Sequence, residues 1–189
     1  MELSRGQLVV VAGCRNSGKS TACEILRQRA TELGFDCAGI VSPGRFVSRR
    51  RVGSDVVDVR TGERRPFATD LLGVDGSTGH RFDDRVARWA SEVLARACPC
   101  DLLLVDEIGP LELERGLGWA KAIDVLAGGA FAVAVVTVRP RLVQKLIAVL
   151  RDCGPRGQTP LVLFTPGDAP DRVLAILESH HARLGTSVR

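Results

Sequence analysis

A short loop between an apolar strand and a helix constrains the fold of this chain more than any other stretch. Residues 13–20 have the sequence GCRNSGKS, which fits the pattern G-x-x-x-x-G-K-[ST]. The residues just before the loop are apolar, and apolar residues with helical spacing follow it over residues 19–33. A buried strand, a glycine-rich turn and a helix in this order predict a phosphate-binding loop, or P-loop.

The residue types in the loop match the chemistry of a triphosphate and its metal ion. The glycines allow successive backbone N–H groups to point at phosphate oxygens, and the N-terminus of the helix adds more N–H groups. Lys19 provides a cation for the β- and γ-phosphates. The Ser20 hydroxyl suits Mg²⁺, which prefers oxygen ligands, and Thr21 is placed to contact the α-phosphate. The sequence therefore predicts a site for a nucleoside triphosphate and Mg²⁺.

Two carboxylates form the second chemical element of the chain. Asp106 and Glu107 follow directly after the apolar residues 102–105, which predict a buried strand. Ligands of open α/β sheets bind outside the carboxyl ends of the strands, so we expect both side chains beside the P-loop. Asp106 would then hold Mg²⁺ together with Ser20, directly or through water. Glu107 would orient or deprotonate the attacking water.

Arginines provide candidates for a group that stabilises the transition state of phosphoryl transfer. Arg139 follows the strand predicted over residues 131–136, at the edge where the phosphates are expected. An arginine-dense stretch earlier in the chain offers further candidates, namely Arg49, Arg50 and Arg51. We expect Arg139 or one of these three to approach the γ-phosphate.

Buried strands and amphipathic helices alternate through a single predicted domain, residues 1–189. The pattern predicts a three-layer α/β P-loop NTPase fold, with a mostly parallel sheet of about five strands and helices on both faces. The predicted strands cover residues 7–12, 36–41, 101–107, 131–136 and 161–164. A β-hairpin is predicted as an insertion at about residues 45–68, followed by a mobile glycine-containing loop over residues 69–80.

The composition of the chain indicates which ligands and which cellular compartment suit this domain. Hydrophobic residues make up 45% of the chain and the formal net charge is +4, which suits an anionic ligand better than nucleic acid. No apolar run approaches the roughly 18 residues of a membrane span, and the first predicted strand leaves no room for a signal peptide. The six cysteines lack zinc-type pairs, which predicts reduced, mostly buried thiols. We expect a cytoplasmic protein, monomeric or weakly homo-oligomeric.

Taken together, these residues resemble the small P-loop nucleoside-triphosphatases, first described from thermophiles and called cancer-related nucleoside-triphosphatases in animals. The resemblance rests on residues 13–20, on RRVGSDVV at 50–57, on VDEIGPLEL at 105–113 and on the chain length. It implies a slow, Mg²⁺-dependent hydrolase with broad base tolerance that converts ATP, GTP and other triphosphates to diphosphate and phosphate. It also implies nucleotide contacts by two stretches: Gly13, Cys14, Arg15, Asn16, Ser17, Gly18, Lys19 and Ser20, and Leu103, Leu104, Val105, Asp106, Glu107, Ile108, Gly109 and Pro110.

Three other functions remain open from the residues themselves. A nucleotide or small-molecule kinase uses the same P-loop but transfers the phosphoryl group to an acceptor. A non-catalytic nucleotide-binding adaptor, similar to the type that assists molybdopterin-guanine dinucleotide assembly, has a similar loop. A nucleic-acid-linked ATPase would rest on the arginine-dense stretch alone. Hydrolysis is favoured because Glu107 follows Asp106 directly and the sequence contains no visible acceptor domain.

Overall fold

In the computed structural model, residues 6–72, 78–153 and 160–186 are described, and they form one nine-stranded sheet. Its central part is parallel and has the order β2-β7-β8-β1-β9. These strands are β1 (Gln7–Ala12), β2 (Cys37–Val41), β7 (Cys100–Ile108), β8 (Phe131–Val138) and β9 (Leu161–Leu163). The five predicted strands are all present, and the predicted P-loop α/β fold is confirmed.

Helices cover both faces of the parallel strands, which explains why those strands are nearly continuous apolar runs. One face packs against α1 (Lys19–Glu32) and α6 (Ala169–Thr186). The opposite face packs against α2 (Asp84–Ala95), α4 (Lys121–Gly128) and α5 (Val143–Cys153). A short helix, α3 (Pro110–Arg115), follows β7 directly. Among the described helices, none is both long and apolar enough to cross a membrane.

An antiparallel extension continues the sheet beyond β2. It consists of β3 (Gly44–Val47), β4 (Arg50–Asp58), β5 (Arg64–Leu72) and β6 (Thr78–Phe82). Strands β4 and β5 form the predicted hairpin, but the insertion predicted for residues 45–68 was too short, because β3 and β6 also belong to it. Residues 69–72 and 78–80 are strand rather than mobile loop, and residues 73–77 lie outside the described residues.

The expectation for the cysteines was partly wrong. All six thiols are free, as predicted, but only Cys23 and Cys37 are buried. The others are partly or fully exposed: Cys98 and Cys100 are intermediate, and Cys14 and Cys153 are exposed. The helix α2, by contrast, presents its apolar stripe to the core as predicted, with Trp89 buried within it.

Candidate active site

The sheet order brings the chemical elements of the sequence to one edge. The P-loop follows β1, and Asp106 and Glu107 lie near the end of β7. Thr137 lies near the end of β8 and Arg139 just after it, and β8 runs between β1 and β7. Because β1, β7 and β8 are parallel, their carboxyl ends meet at this edge, as the rule for open α/β sheets requires. The groups predicted to bind phosphate and metal therefore face a common space.

The P-loop is shaped around Lys19. This side chain is 6% exposed, and its Nζ donates hydrogen bonds of 2.9 Å to the carbonyl oxygens of Gly13 and Cys14. Gly18, at the helix N-cap, has a φ of 90°, in the left-handed region that favours glycine. The N–H of Ala22 bonds to the carbonyl of Gly18, so the N–H groups of residues 19–21 have no partner within the helix. This helix N-terminus is built to receive an anion.

Asp106 is fully buried and held by neighbours on three sides. Its Oδ1 accepts a 2.6 Å bond from the Thr137 hydroxyl, and its Oδ2 accepts a 3.0 Å bond from the backbone N–H of Ser42. Burial raises the pKa of this carboxyl, and hydrogen bonds from Thr137, Ser20 and Ser42 oppose that rise. Two hard oxygen donors, the Ser20 hydroxyl and the Asp106 carboxylate, thus lie together at the P-loop. This donor set fits Mg²⁺. In such sites phosphate oxygens and water molecules complete the coordination shell of the ion.

Glu107 has a different environment from its neighbour. Its side chain is 34% exposed, and Oε1 accepts a 3.0 Å bond from Nε of Arg139. Its carbonyl oxygen accepts a 3.0 Å bond from the indole N–H of Trp119. The backbone of Glu107 is therefore fixed, while its carboxylate faces the open space beside Lys19 and Ser20. A carboxylate in this position can accept a proton from a nucleophile.

A cavity of about 770 Å³ joins these groups to the antiparallel extension. The P-loop and α1 contribute Arg15 to Thr21, and β7 with α3 contributes Glu107, Gly109 and Pro110. The extension closes the far side and reaches back to the P-loop, where Nη2 of Arg15 lies 4.0 Å from the carboxylate of Asp70. The volume is in the upper part of the roughly 300–1,000 Å³ range of small-molecule sites.

A family model described as NTPase matches residues 8–154. This chain belongs to the NTPase family. It is 30% identical over 152 residues to nucleoside-triphosphatase THEP1 of Methanopyrus kandleri, covering 76% of this chain and 79% of the relative. It is 31% identical over 145 residues to THEP1 of Ignicoccus hospitalis, covering 76% and 82%.

Two solved structures show the same fold. The solution structure of a human cancer-related nucleoside triphosphatase has a TM-score of 0.67 and 19% identity, covering 92% of this chain and 99% of that one. The crystal structure of THEP1 from Aquifex aeolicus has a TM-score of 0.61 and 18% identity, covering 91% and 99%. The predicted resemblance is confirmed, and membership of the NTPase family makes this chain an enzyme that hydrolyses nucleoside triphosphates.

Most predicted site residues of this NTPase line the cavity, but some do not. Arg15, Asn16, Ser17, Gly18, Lys19, Ser20, Thr21, Glu107, Gly109, Pro110, Arg51 and Arg139 line it. Asp106 lies just behind the wall, bonded to Ser20. Gly13 and Cys14 face Lys19 with their carbonyls. The side chains of Leu103, Leu104, Val105 and Ile108 are fully buried in the sheet, so these residues carry Asp106 and Glu107 to the edge and do not themselves line the cavity.

Further groups that line the cavity were not predicted from the sequence, and most of them belong to the antiparallel extension and α3. They are Ser42, Phe46, Phe67, Asp70, His80, Phe82, Glu112, Arg115 and Trp119. The hairpin was predicted, but nothing in its sequence indicates that its strands fold back toward the P-loop. The position of Trp119 in the sequence could have indicated that it lies near the site, because Trp119 follows the stretch at 105–113 and begins the next helical pattern.

Proposed function

We propose that this chain hydrolyses nucleoside 5′-triphosphates to diphosphate and phosphate, with Mg²⁺ and with Glu107 as the group that activates water. One observation carries the proposal: Glu107 is a carboxylate, about one third exposed, that borders the same cavity as Lys19 and Ser20. Asp106, directly before it, is turned away from the cavity and toward Ser20 and Thr137. The two carboxylates thus have separate roles, one at the metal and one at the nucleophile.

Each of these residues has its own role in the proposed reaction. The free N–H groups at the start of α1 bind phosphate oxygens, and Lys19 exchanges its carbonyl partners for the β- and γ-phosphates. Ser20 and Asp106 would hold Mg²⁺, which supplies positive charge to the phosphate oxygens. Glu107 orients a water molecule and accepts its proton as the water attacks the γ-phosphorus. Lys19 and the loop stabilise the charge that develops on the departing diphosphate.

We also propose broad base tolerance, because the residues assigned to the reaction contact phosphates, metal or water and read no base edge. The same reasoning supports free triphosphates as substrates, without nucleic acid. Several arginines that flank the arginine-dense stretch are already engaged within the chain: Arg45 and Arg64 pair with Asp55, and Arg65 lies 4.4 Å over the ring of Trp89. We also propose that the protein acts in the cytoplasm, as a monomer or weak homo-oligomer.

Phosphate release from ATP, GTP, CTP and UTP tests the proposal, with Mg²⁺ and with EDTA. We expect turnover of several bases, lost in EDTA. Glu107→Gln should retain triphosphate binding, because glutamine still accepts the bond from Arg139, but should lower kcat by roughly 10²–10⁴-fold. Glu114→Gln is the matched control, since Glu114 lines the same cavity but pairs with Lys145 at 3.3 Å.

Either of two outcomes would contradict the proposal. Normal hydrolysis by Glu107→Gln would remove Glu107 from the role of base. Tight triphosphate binding by the wild type without any turnover, at each of the four bases, would favour the nucleotide-binding adaptor over the hydrolase.

A further inference from the structure

The cavity contains an aromatic compartment to which the proposed hydrolysis assigns no role. It is formed by Phe46, Phe67, Phe82 and Trp119, three from the antiparallel extension and one from the segment before α4. The ring centroids of Phe67 and Phe82 are 5.2 Å apart, and those of Phe67 and Trp119 are 4.8 Å apart. The four side chains give one wall of the cavity an apolar, ring-lined surface.

Two rings of this compartment are exposed in a way that core aromatics are not. Phe46 is 61% exposed and Phe82 is 41% exposed, whereas Phe67 and Trp119 behind them are buried. Large apolar side chains that converge on a concave surface, with polar groups around them, are typical of sites for small organic ligands. Exposed aromatic rings of this kind can stack with a flat ring system.

Positive charge without a partner lies at the same compartment. Arg51 and Arg115 both line the cavity, and neither has a carboxylate within 4.0 Å among the described residues. The neighbouring Arg45, by contrast, pairs with Asp55 at 3.7 Å. Unpaired guanidinium groups beside apolar rings favour a ligand that combines a planar ring with an anionic group.

The compartment lies on the side from which the nucleophile arrives. In an in-line transfer the leaving and attacking oxygens lie on opposite sides of the γ-phosphorus. Lys19 and the loop N–H groups take the leaving side, so the attacking group enters from the side of Glu107. Trp119 ties the compartment to that side, because its indole N–H donates to the carbonyl oxygen of Glu107 at 3.0 Å.

We propose that the aromatic compartment binds a second organic substrate, a planar-ring alcohol that carries an anionic group, and that its hydroxyl accepts the γ-phosphoryl group. The hydroxyl oxygen forms a bond to the γ-phosphorus, the bond from that phosphorus to the β–γ bridging oxygen breaks, and nucleoside diphosphate leaves. The hydroxyl proton passes to the Glu107 carboxylate. Hydrolysis is then the reaction of the same site when water replaces the alcohol, so this inference rests on the proposed role of Glu107.

Nucleosides and nucleoside 5′-monophosphates are suitable probes, because they offer a ring and hydroxyls with and without an anionic group. The protein is first saturated with Mg²⁺ and the β,γ-imido analogue of ATP, and binding of each probe is then measured by calorimetry. We expect at least one monophosphate to bind the loaded protein. The Phe46→Ala/Phe82→Ala variant should weaken that binding by roughly 5–150-fold, the loss of one to three kcal/mol expected for a base stacked on a ring.

Matched variants separate the aromatic and ionic contributions. Phe164→Ala is the control for the rings, because Phe164 is 66% exposed and lies outside the cavity. Arg51→Gln should weaken the binding of the monophosphate but not of the corresponding nucleoside, and Arg50→Gln, at the exposed neighbour outside the cavity, should change neither. Circular dichroism and thermal unfolding of each variant exclude misfolding as the cause.

Transfer is measured with γ-labelled ATP and the bound probe. The expected result is a labelled organic product, with more diphosphate formed than phosphate released. Binding of the probes to the protein without the ATP analogue, but not to the loaded protein, would show that the compartment holds the base of the triphosphate, and would overturn the proposal. So would the absence of binding by every probe, or binding without labelled product. Phosphate release without probe, run in parallel, reports separately on the proposed hydrolysis.

Discussion

At the scale of single residues, Glu107 depends on one ion pair for its orientation. Nε of Arg139 donates to Oε1 of Glu107 at 3.0 Å, and both side chains border the cavity. Because the carboxylate is held by this bond rather than by burial, Arg139→Ala should leave it free to rotate away from the water. A displacement of about 1 Å of a reacting group can cost on the order of 10²-fold in rate. We therefore expect kcat to fall by about this factor.

The experiment that checks this is steady-state hydrolysis of ATP with the Arg139→Ala variant, compared with Arg141→Ala. Arg141 is the next exposed arginine along the chain and does not line the cavity. A role in orientation predicts a change in kcat with KM held within about threefold. If KM rises and kcat is unchanged, Arg139 binds the triphosphate in the ground state and does not position Glu107.

Asp106 gives a prediction for the pH dependence of stability. Burial raises its pKa above the ordinary value of 3.8, so the folded protein retains a proton that the unfolded chain has released. In that window the folded state binds more protons, and the free energy of unfolding falls as the pH rises. The fall begins near the unfolded pKa and ends above the raised folded pKa. Deprotonation of Asp106, which Mg²⁺ binding needs, therefore costs stability in the metal-free protein.

Urea unfolding in EDTA at several pH values from about 4 to 8 measures this effect. Asp106→Asn removes the titrating group, so the free energy of unfolding of the wild type relative to this variant should decrease as the pH rises. The hydrogen bond that asparagine loses adds an offset that does not depend on pH. Asp152→Asn, at an exposed position, should run parallel to the wild type. A difference between wild type and Asp106→Asn that is constant or grows with pH would contradict the prediction.

At the scale of elements, α3 is a helix of one and a half turns whose geometry depends on a buried carboxylate. Oε2 of Glu112 accepts a 2.8 Å bond from the N–H of Gly109, at the start of the helix. Burial raises the pKa of this carboxyl, against the N–H groups of Gly109, Glu112 and Trp119 that lower it. Glu112→Ala would leave these donors without their acceptor, and each buried donor left unpaired costs about 1–3 kcal/mol.

We therefore expect Glu112→Ala to lower the free energy of unfolding by at least about 1 kcal/mol and to reduce kcat, since α3 and Trp119 border Glu107. Chemical denaturation and hydrolysis rates measure the two effects. Glu114→Ala, two residues further along the same helix, is the control. Its exposed pair with Lys145 is of the type worth roughly 0–1 kcal/mol. Equal stabilities for the two variants would show that the Glu112 cap does not hold α3.

The elements also show where the sequence was informative and where it was not. The five parallel strands were predictable, because strands buried on both faces are short apolar runs with sharp ends. Strand β6 was hidden by Gly79, which resembles a loop signal but pairs with Leu71 across the sheet. Strand β3 was hidden in the same way by Pro43 and Gly44. Pairing partners, rather than local composition, decide the fate of such exposed strands.

At the scale of the whole molecule, part of the candidate site was predictable from the sequence and part was not, as for the strands. The P-loop, Asp106 and Glu107 were predictable, because each carries local chemistry at the end of a strand. Contacts between distant segments were not predictable. Glu107 and Arg139 are 32 residues apart in the sequence, and Ser42 and Asp106 are 64 apart. The aromatic compartment likewise joins segments that are distant in the sequence. The strand order β5-β4-β2-β7-β8, which brings these segments together, is a property of the folded sheet.

Binding of a triphosphate should be visible in the stability of the whole chain. A ligand present at 100 times its Kd stabilises the folded state by about 2.7 kcal/mol. For a chain of this length each kcal/mol shifts Tm by roughly 2–4 °C, so the Mg²⁺ complex of the imido analogue of ATP should raise Tm by roughly 5–11 °C. Lys19→Ala removes the buried cation of the P-loop and should abolish this rise.

Differential scanning calorimetry of the wild type, Lys19→Ala and Lys121→Ala tests the argument. Lys121 lies on the surface and pairs with Asp124 at 3.5 Å, so its variant should keep the full rise. In the absence of nucleotide, Lys19→Ala also loses two hydrogen bonds to the loop carbonyls, so each variant is compared with its own ligand-free Tm. A rise that survives in Lys19→Ala would mean that the triphosphate is held chiefly outside the P-loop. The order of groups across the cavity, with the leaving side at Lys19 and the nucleophile side at Glu107, would then be wrong.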